Sequence, residues 1–519
     1  MEFNNPSEIV KDLTFDVAAQ KKIMSGVNKL NNAVASTLGP SGKCVIYEDA
    51  LGKPIITKDG VTVAQSVVLM DPVENIGATL IKEAAQKTVK EAGDGTTTST
   101  VLAHAILELY YDFCGKECNV RDLKKSINDT KQKVIKYLDK ISIPIVTDKE
   151  IKQVASISTN NDNELGEIIA EAYIKVGKNG VVLMEESETE KTYVEIVDGV
   201  QFDSGLKSPH LITDKDKNNC VLKNPLILLV DSKVSTVRKI QSVLEYAIKN
   251  KRAILIIGDV EQQVMSALIM NKVKGNIQVN VIDPPGFSSI RQDMLDDLAI
   301  ITGAKVINEE LGDDLDLIDN SCLGQAVKSV TDENNTVITV DVQTEQIKER
   351  IKQLEKQIKE EKNPYAKKKL EERVAMLSGS VGVIYVGANS KIELKEKKDR
   401  IEDAIYAVKA AIKEGIVPGG GVAFMDAVVS NRAKCGHDDL LLAAIQAPFH
   451  TILKNANINA KRSKKKNFGI DINTGESINM YEAGIIDPLL VTKTALINAC
   501  SVATTIMSAD CVISNVREK

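Results

Sequence analysis

Gly93-Asp94-Gly95-Thr96-Thr97-Thr98 stands between two helical patterns. Upstream, Ala78, Ile81 and Ala85 recur at helical spacing; downstream, Val101, Leu102, Ala105, Ile106 and Leu109 do the same. The hexapeptide therefore closes one helix and opens the next. A helix N-terminus offers unpaired N–H groups and the positive end of a dipole, which suits phosphate. Glycine lets the backbone come close to a ligand. Three consecutive hydroxyls can donate to phosphate oxygens, and a neighbouring carboxylate can hold Mg2+, which takes one or two carboxylates plus phosphate oxygens. A plain helix cap needs a single Asp or Thr; a triple Thr behind Gly-Asp-Gly exceeds that need. The segment predicts a phosphate and magnesium contact, with ATP as the expected ligand.

Outward from it lie weaker signals. Thr37-Leu38-Gly39-Pro40-Ser41-Gly42-Lys43 lacks the P-loop spacing, and Cys44 follows the lysine. A tight turn that brings backbone to a ligand fits it better. Ile56-Thr57-Lys58-Asp59-Gly60 follows a strand pattern and by itself reads as a hairpin turn. Glu402-Asp403 sits inside a helical pattern, where a solvated face would account for it. Val417-Pro418-Gly419-Gly420-Gly421 follows, three glycines in a row being unusual for a loop between helices.

The chain has 519 residues, 43% of them hydrophobic, enough for two to three domains. The first 140 or so residues read as mainly helical, apart from strands at Cys44–Tyr47 and Pro54–Thr57 around a Gly52 turn. Short apolar runs then alternate with helical patterns: Leu226–Val230, Ala253–Ile257, Val279–Ile282 and Lys305–Ile307. That alternation predicts an α/β domain with a partly parallel sheet. From Glu345 to Leu377 a Lys/Glu-rich stretch broken by Asn363-Pro364 predicts a helical hairpin with solvated charged faces. After Asp403 helical character returns. The fold class is thus multi-domain, mainly α with an inserted α/β domain, in a nested topology where both chain ends build one domain.

Lys and Arg total 66 against 72 Asp and Glu, and only 4% of residues are aromatic, with no Trp. Such a balance argues against a nucleic-acid partner. Eight scattered Cys without a Cys-x-x-Cys pair, the closest being Cys114 and Cys118, read as reduced thiols. Four His and no His-Glu-x-x-His make a zinc site improbable. No apolar run approaches the ~18 residues of a membrane span. Met1-Glu2-Phe3-Asn4-Asn5-Pro6 resembles neither a signal nor a transit segment, so a cytoplasmic location is expected.

Taken together, these segments resemble the chaperonin family, specifically its group I branch. The likeness runs from about Thr14 to about Asn515. It includes Thr37–Pro40, Ile56–Val61, Gly93–Thr98, Gln201-Phe202-Asp203, Glu396-Lys397-Lys398, Glu402-Asp403-Ala404, Gly419–Gly421 and Gly484–Pro488. The resemblance implies an equatorial ATP-binding domain (1–140 and 414–519), an intermediate hinge domain (141–197 and 382–413) and an apical client-binding domain (198–381). It implies ATP contacts at Thr37, Leu38, Gly39, Pro40, Lys58, Asp94, Gly95, Thr96, Thr97 and Thr98, and Gly420 and Asp487 around the nucleoside. It assigns Mg2+ to Asp94, leaves K+ as a further candidate cofactor, and makes Asp403 the residue that orients the attacking water, with Asp59 nearby. Leu206, His210, Leu211, Leu244, Met265, Ile269 and Met270 match client- and lid-binding positions. The expected activity is ATP hydrolysis coupled to the folding of non-native proteins. The expected assembly is a homo-oligomeric ring of seven subunits, with a separate co-chaperonin lid as a candidate partner. No built-in lid insertion is visible between Gly199 and Ser380.

The chain also departs from that pattern. The family's flexible Gly-Gly-Met tail is absent before Lys519. Gln241 and His210 replace apolar or aromatic residues, and Ser204 with Lys391 cannot form the family's ion pair between neighbours. Asp112, His450 and Asn459 lack the opposite-charge pairs of a ring-to-ring contact, and Lys461-Arg462-Ser463-Lys464-Lys465-Lys466 is strongly basic. These features predict accessible single rings, as in a divergent or virus-encoded member, which would work in the host-cell cytoplasm. The alternatives are a scaffold that binds nucleotide without a folding chamber, and a metabolic ATP-dependent enzyme.

Overall fold

The computed structural model describes residues 10–49, 52–113, 119–159, 162–177, 180–187, 189–215, 218–286, 289–313, 315, 318–340, 345–361, 363–377, 380–431, 436–460, 462–463 and 465–516. Met1–Pro6, Cys114, Cys118, Lys461, Lys464 and Lys519, singled out above, lie outside them. The chain divides into two compact units: Met1–Ala170 with Glu186–Thr192 and Val386–Lys519, and Glu171–Glu185 with Tyr193–Tyr385.

The first unit is built on the helices Asp16–Ala35, Pro72–Ala92, Thr96–Phe113, Val120–Ile141 and Leu489–Ile506. The Pro72–Ala92 helix starts where its sequence dictates. Asp71 accepts from the N–H groups of Val73 (2.8 Å) and Glu74 (3.1 Å), and Pro72 takes the first turn, where no donor is needed. It meets the Asp16–Ala35 helix backbone to backbone through two glycines. A Cβ on Gly26 would lie 1.9 Å from the Glu74 carbonyl oxygen, and one on Gly77 would lie 2.5 Å from that of Ile23. Ile23, Val27, Leu30, Ala78, Ile81, Leu102, Ile106, Leu496 and Ala499 fill the shared core. Near the two chain ends, Lys11–Phe15 pairs antiparallel with Cys511–Asn515.

The Leu489–Ile506 helix corrects one expectation. By length and composition it is apolar enough to cross a membrane. Two-thirds of it is buried, on every side, against the Pro72–Ala92 and Thr96–Phe113 helices. Its hydrophobicity is that of a core helix.

In the second unit, Val306–Ile307, Leu226–Val230, Ile254–Ile257 and Val279–Ile282 pair in that order as a parallel sheet, with Gly324–Gln325 antiparallel to Leu226–Val230. Alternate residues serve opposite cores. Leu226, Leu228, Ile254 and Ile256 enter one, and Ile227, Leu229, Leu255 and Ile257 the other. A sheet covered on both faces explains the unbroken apolar runs. A second sheet of six strands, which the sequence reading missed, orders Val181–Glu186, Ser380–Val386, Tyr193–Phe202, Thr336–Val340, Lys328–Thr331 and Cys220–Lys223.

Helices Glu345–Glu360 and Pro364–Leu377 form the expected hairpin, but its charges are not all solvated. Arg373, 5% exposed, and Arg350 both bind Asp297, which is fully buried on the Ser289–Thr302 helix.

Candidate nucleotide site

All the polar residues predicted to touch a nucleotide fall in the first unit. Gly93 ends its helix in the left-handed region (φ 78°), and its N–H closes on the Val89 carbonyl at 2.6 Å. Gly95 (φ 95°) turns the chain again, and the Thr96–Phe113 helix begins. The Thr96 carbonyl accepts from the hydroxyls of Ser99 and Thr100, each at 3.0 Å. Its own Oγ1 is buried with no hydrogen-bond partner, while Thr97 and Thr98 are half-buried. A buried hydroxyl without a partner is an unfavourable state unless something is meant to meet it.

Three further turns converge here. Asp59 caps the Gly60–Ser66 helix, accepting from the N–H groups of Val61 (3.0 Å) and Thr62 (2.7 Å) and from the Thr62 hydroxyl (2.6 Å). Gly60 is required there: a Cβ would lie 2.2 Å from Thr97 Oγ1. Lys58 Nζ donates to the Pro40 carbonyl at 3.3 Å, tying this turn to Thr37–Pro40. The latter is held by Asn455, whose amide donates to the carbonyls of Ala35 (2.8 Å) and Leu38 (2.9 Å). The hydroxyl of Thr37 is already used on the Val34 carbonyl, at 2.8 Å.

Strand Ile416–Pro418 pairs with Ile486–Pro488, setting Val417 opposite Asp487, so the glycine run emerges beside that carboxylate. Gly420 N–H donates to Asp487. Asp403, on the Lys391–Glu414 helix, is half-buried and faces the same carboxylates, which overturns the solvated-face reading. One turn on, the Tyr406 side chain sits against Gly93, where an added Cβ would meet the Tyr406 Cβ at 2.3 Å and the ring at 2.4 Å.

Among the described residues, no cation offsets the upward shifts of Asp94, Asp403 and Asp487. Burial pushes the Asp403 carboxyl well above the usual range, and Asp94 and Asp59 add to that. Burial, then Asp59, raises Asp94. Burial, then Asp94, raises Asp487 to about 6. Among the described residues no three His, Cys, Asp or Glu side chains make a self-sufficient metal site. A cation shared between Asp94 and phosphate oxygens suits this arrangement, as Mg2+ does.

The sign of the pH effect follows. With its folded pKa above the ordinary carboxyl value, Asp487 keeps a proton in the folded state that the unfolded chain releases. Its contribution is whole below pH ~4 and is lost as pH rises through about 6. Without nucleotide, Tm of the wild type should fall over that range more than Tm of Asp487→Asn; parallel curves would refute it.

The residues expected to bind clients lie in the second unit around one core. Leu211 and Leu244 are buried in it, Leu206, Met265 and Ile269 pack against it half-buried, and His210 and Met270 are exposed. Local patterns gave no sign of Asn455, Thr62 or Tyr406, since each acts through a partner distant in sequence or through a turn.

A family model described as the TCP-1/cpn60 chaperonin family matches residues 30–517. Two solved structures are similar over 98% of this chain and 99% of their own. Both are crystal structures of the chaperonin gp146 from the bacteriophage EL 2 (Pseudomonas aeruginosa) in the presence of ATP-BeFx. One crystal form gives a TM-score of 0.72 at 22% identity, the other 0.66 at 23%.

Proposed function

The chain belongs to the TCP-1/cpn60 chaperonin family, and from that premise we propose an ATP-driven chaperonin in which hydrolysis at the Thr96 site powers the folding of non-native proteins. The observation that carries the nucleotide part is the buried, unpartnered Thr96 hydroxyl among four carboxylates, Asp59, Asp94, Asp403 and Asp487. The ATP analogue in the crystals of the phage relative supports the same ligand.

In this reading the phosphates lie against the Thr37–Pro40 backbone, the hydroxyls of Thr96, Thr97 and Thr98, the N–H groups of the helix start and Lys58. Gly420 and Asp487 hold the nucleoside. Asp94 holds Mg2+, which neutralises charge on the phosphates when bound. Asp403 orients a water for attack on the γ-phosphorus and accepts its proton as the bond to the β–γ bridging oxygen breaks. Asp59 fixes the turn behind Thr97 and adds to the field that positions the water. Because Asp403 belongs to a hinge segment (141–197 and 382–413) between equatorial (1–140 and 414–519) and apical (198–381) parts, turnover waits on closure of that hinge.

Clients bind the apolar surface around Met265, Ile269 and Met270, with Leu206 and His210 at its margin. Leu211 and Leu244 join only if that core loosens. Weak apolar contacts repeated around a ring add through avidity. The ring is expected to be homo-oligomeric, with a separate lid protein. Asp112, His450 and Asn459 supply no opposite charges for a second ring, so single rings should be populated. Electron microscopy and native mass with and without ATP test this. Rings with a cavity that change shape on ATP are expected, and a monomer under both conditions would remove the folding chamber.

A further inference from the structure

Arg462 belongs to the strongly basic run that the sequence shows, yet its side chain is 8% exposed. It is paired with Asp426, 2% exposed, on the Val422–Ser430 helix. A buried charge pair persists only with close geometry and further hydrogen bonds, and both are present. Arg462 Nη2 binds Asp426 Oδ1, and its Nε donates to the Phe468 carbonyl at 2.5 Å. Asp426 Oδ2 accepts from the Asn467 N–H at 2.8 Å, and Asn467 itself lies in the left-handed region, φ 63°. The pair therefore fixes the chain where strand Phe468–Ile470 begins, pairing with Ser477–Asn479.

The hairpin's far side reaches the glycine run. Met480 N–H donates to the Asn467 carbonyl at 2.9 Å, and the Met480 carbonyl accepts from Ile485 at 2.8 Å. The Ile485 carbonyl accepts from Gly419 N–H at 2.9 Å. The Met480 methyl lies where a Cβ on Gly469 would approach it to 2.4 Å and one on Gly420 to 3.2 Å. The contacts thus run without a gap from Asp426 and Arg462 to Gly420 and the Asp487 carboxylate.

We propose that Asp426 and Arg462 are positioning residues for nucleotide binding: the pair holds the Phe468–Met480 hairpin so that Met480 forms an apolar wall of the purine pocket beside Gly420. The inference rests on the reading of Gly420 and Asp487 as nucleoside contacts. A methyl wall favours the flat apolar face of a base and leaves the triphosphate chemistry to the other turns. Loss of the pair should therefore weaken binding without slowing the bound complex.

The test uses the full chain and the double variant Asp426→Leu/Arg462→Met. Replacing both members of a buried pair by apolar groups of similar volume is often neutral for folding, so a merely structural pair would leave kinetics unchanged. The expected result is a KM for ATP raised about tenfold, kcat within about twofold of wild type, and a reduced preference for ATP over GTP. A folded double variant with wild-type KM and preference overturns the proposal. Should that variant not fold, amide exchange of the wild type decides. ATP must slow exchange across 467–480, and slowing at 96–99 with none at 467–480 overturns this inference while leaving the phosphate site standing. No slowing in either segment overturns both.

Discussion

Asp403→Ala should bind ATP nearly as tightly as the wild type and hydrolyse it roughly 10²–10⁴-fold more slowly, the range for loss of a positioned general base. The reason lies in where Asp403 is placed. It stands on the Lys391–Glu414 helix, whose Tyr406 rests on Gly93, while the phosphate-facing groups come from the other turns. Removing its carboxylate deletes no contact expected of ground-state ATP. It also relieves repulsion, because Asp94 and Asp59 both push the Asp403 carboxyl upward. Affinity should therefore hold or rise slightly. Single-turnover hydrolysis together with equilibrium nucleotide binding separates the two effects. Unchanged turnover would sink the role given to Asp403. Loss of binding with turnover at saturation preserved would move it to the ground-state contacts.

The second large effect concerns stability, far from any chemistry. Asp297 is fully buried and accepts from Arg350 Nε at 2.8 Å and from Arg373 Nε at 2.7 Å and Nη2 at 3.0 Å. Arg373 also reaches Asp293 at 2.9 Å, but that carboxylate is half-exposed. Asp297→Ala leaves the Arg373 guanidinium in the interior without its main counter-charge, which costs about 3–5 kcal/mol. The loss should appear in denaturant unfolding and as fast amide exchange in the Glu345–Leu377 hairpin, whose docking the two arginines provide. Exchanging all three charges for apolar residues of similar volume should recover much of it. A loss below about 1 kcal/mol for the single variant, in the range of a surface ion pair, would show the cluster to be better hydrated than its burial implies.

What was legible in the sequence depended on whether the signal was local. The helix pair around Gly93–Thr98 and the parallel strands carried periodicity or unbroken apolar runs, and both appear where expected. The six-stranded sheet did not announce itself. Tyr193–Phe202 and Lys328–Thr331 mix Thr, Asp, Glu and Lys with their apolar residues, because one face or end of such strands is wet. In the proposed site, the signal of Gly-Asp-Gly-Thr-Thr-Thr is local, since helix start, glycines and hydroxyls are contiguous. Asp403 and Asp487 are ordinary residues in ordinary elements. Only the resemblance marked them, and only the fold sets Asp403 beside Asp94. Arg373 and Arg462 misled in the other direction, because a basic residue among other charged residues gives no sign that a buried carboxylate waits for it.

The ribbon that joins Lys11–Phe15 to Cys511–Asn515 has a consequence for the order of events during synthesis. A chain emerges from the ribosome from its N-terminus at about 5–20 residues per second. The second unit's described strands all lie between Val181 and Val386, so its partners emerge within one continuous stretch. The first unit must wait, because the Leu489–Ile506 helix that fills its core, and the Cys511–Asn515 strand, emerge long after Phe113. Until then the helices Asp16–Ala35, Pro72–Ala92 and Thr96–Phe113 expose apolar faces for tens of seconds. On the function proposed above, a chain that shields such surfaces in others needs shielding itself while it is being made.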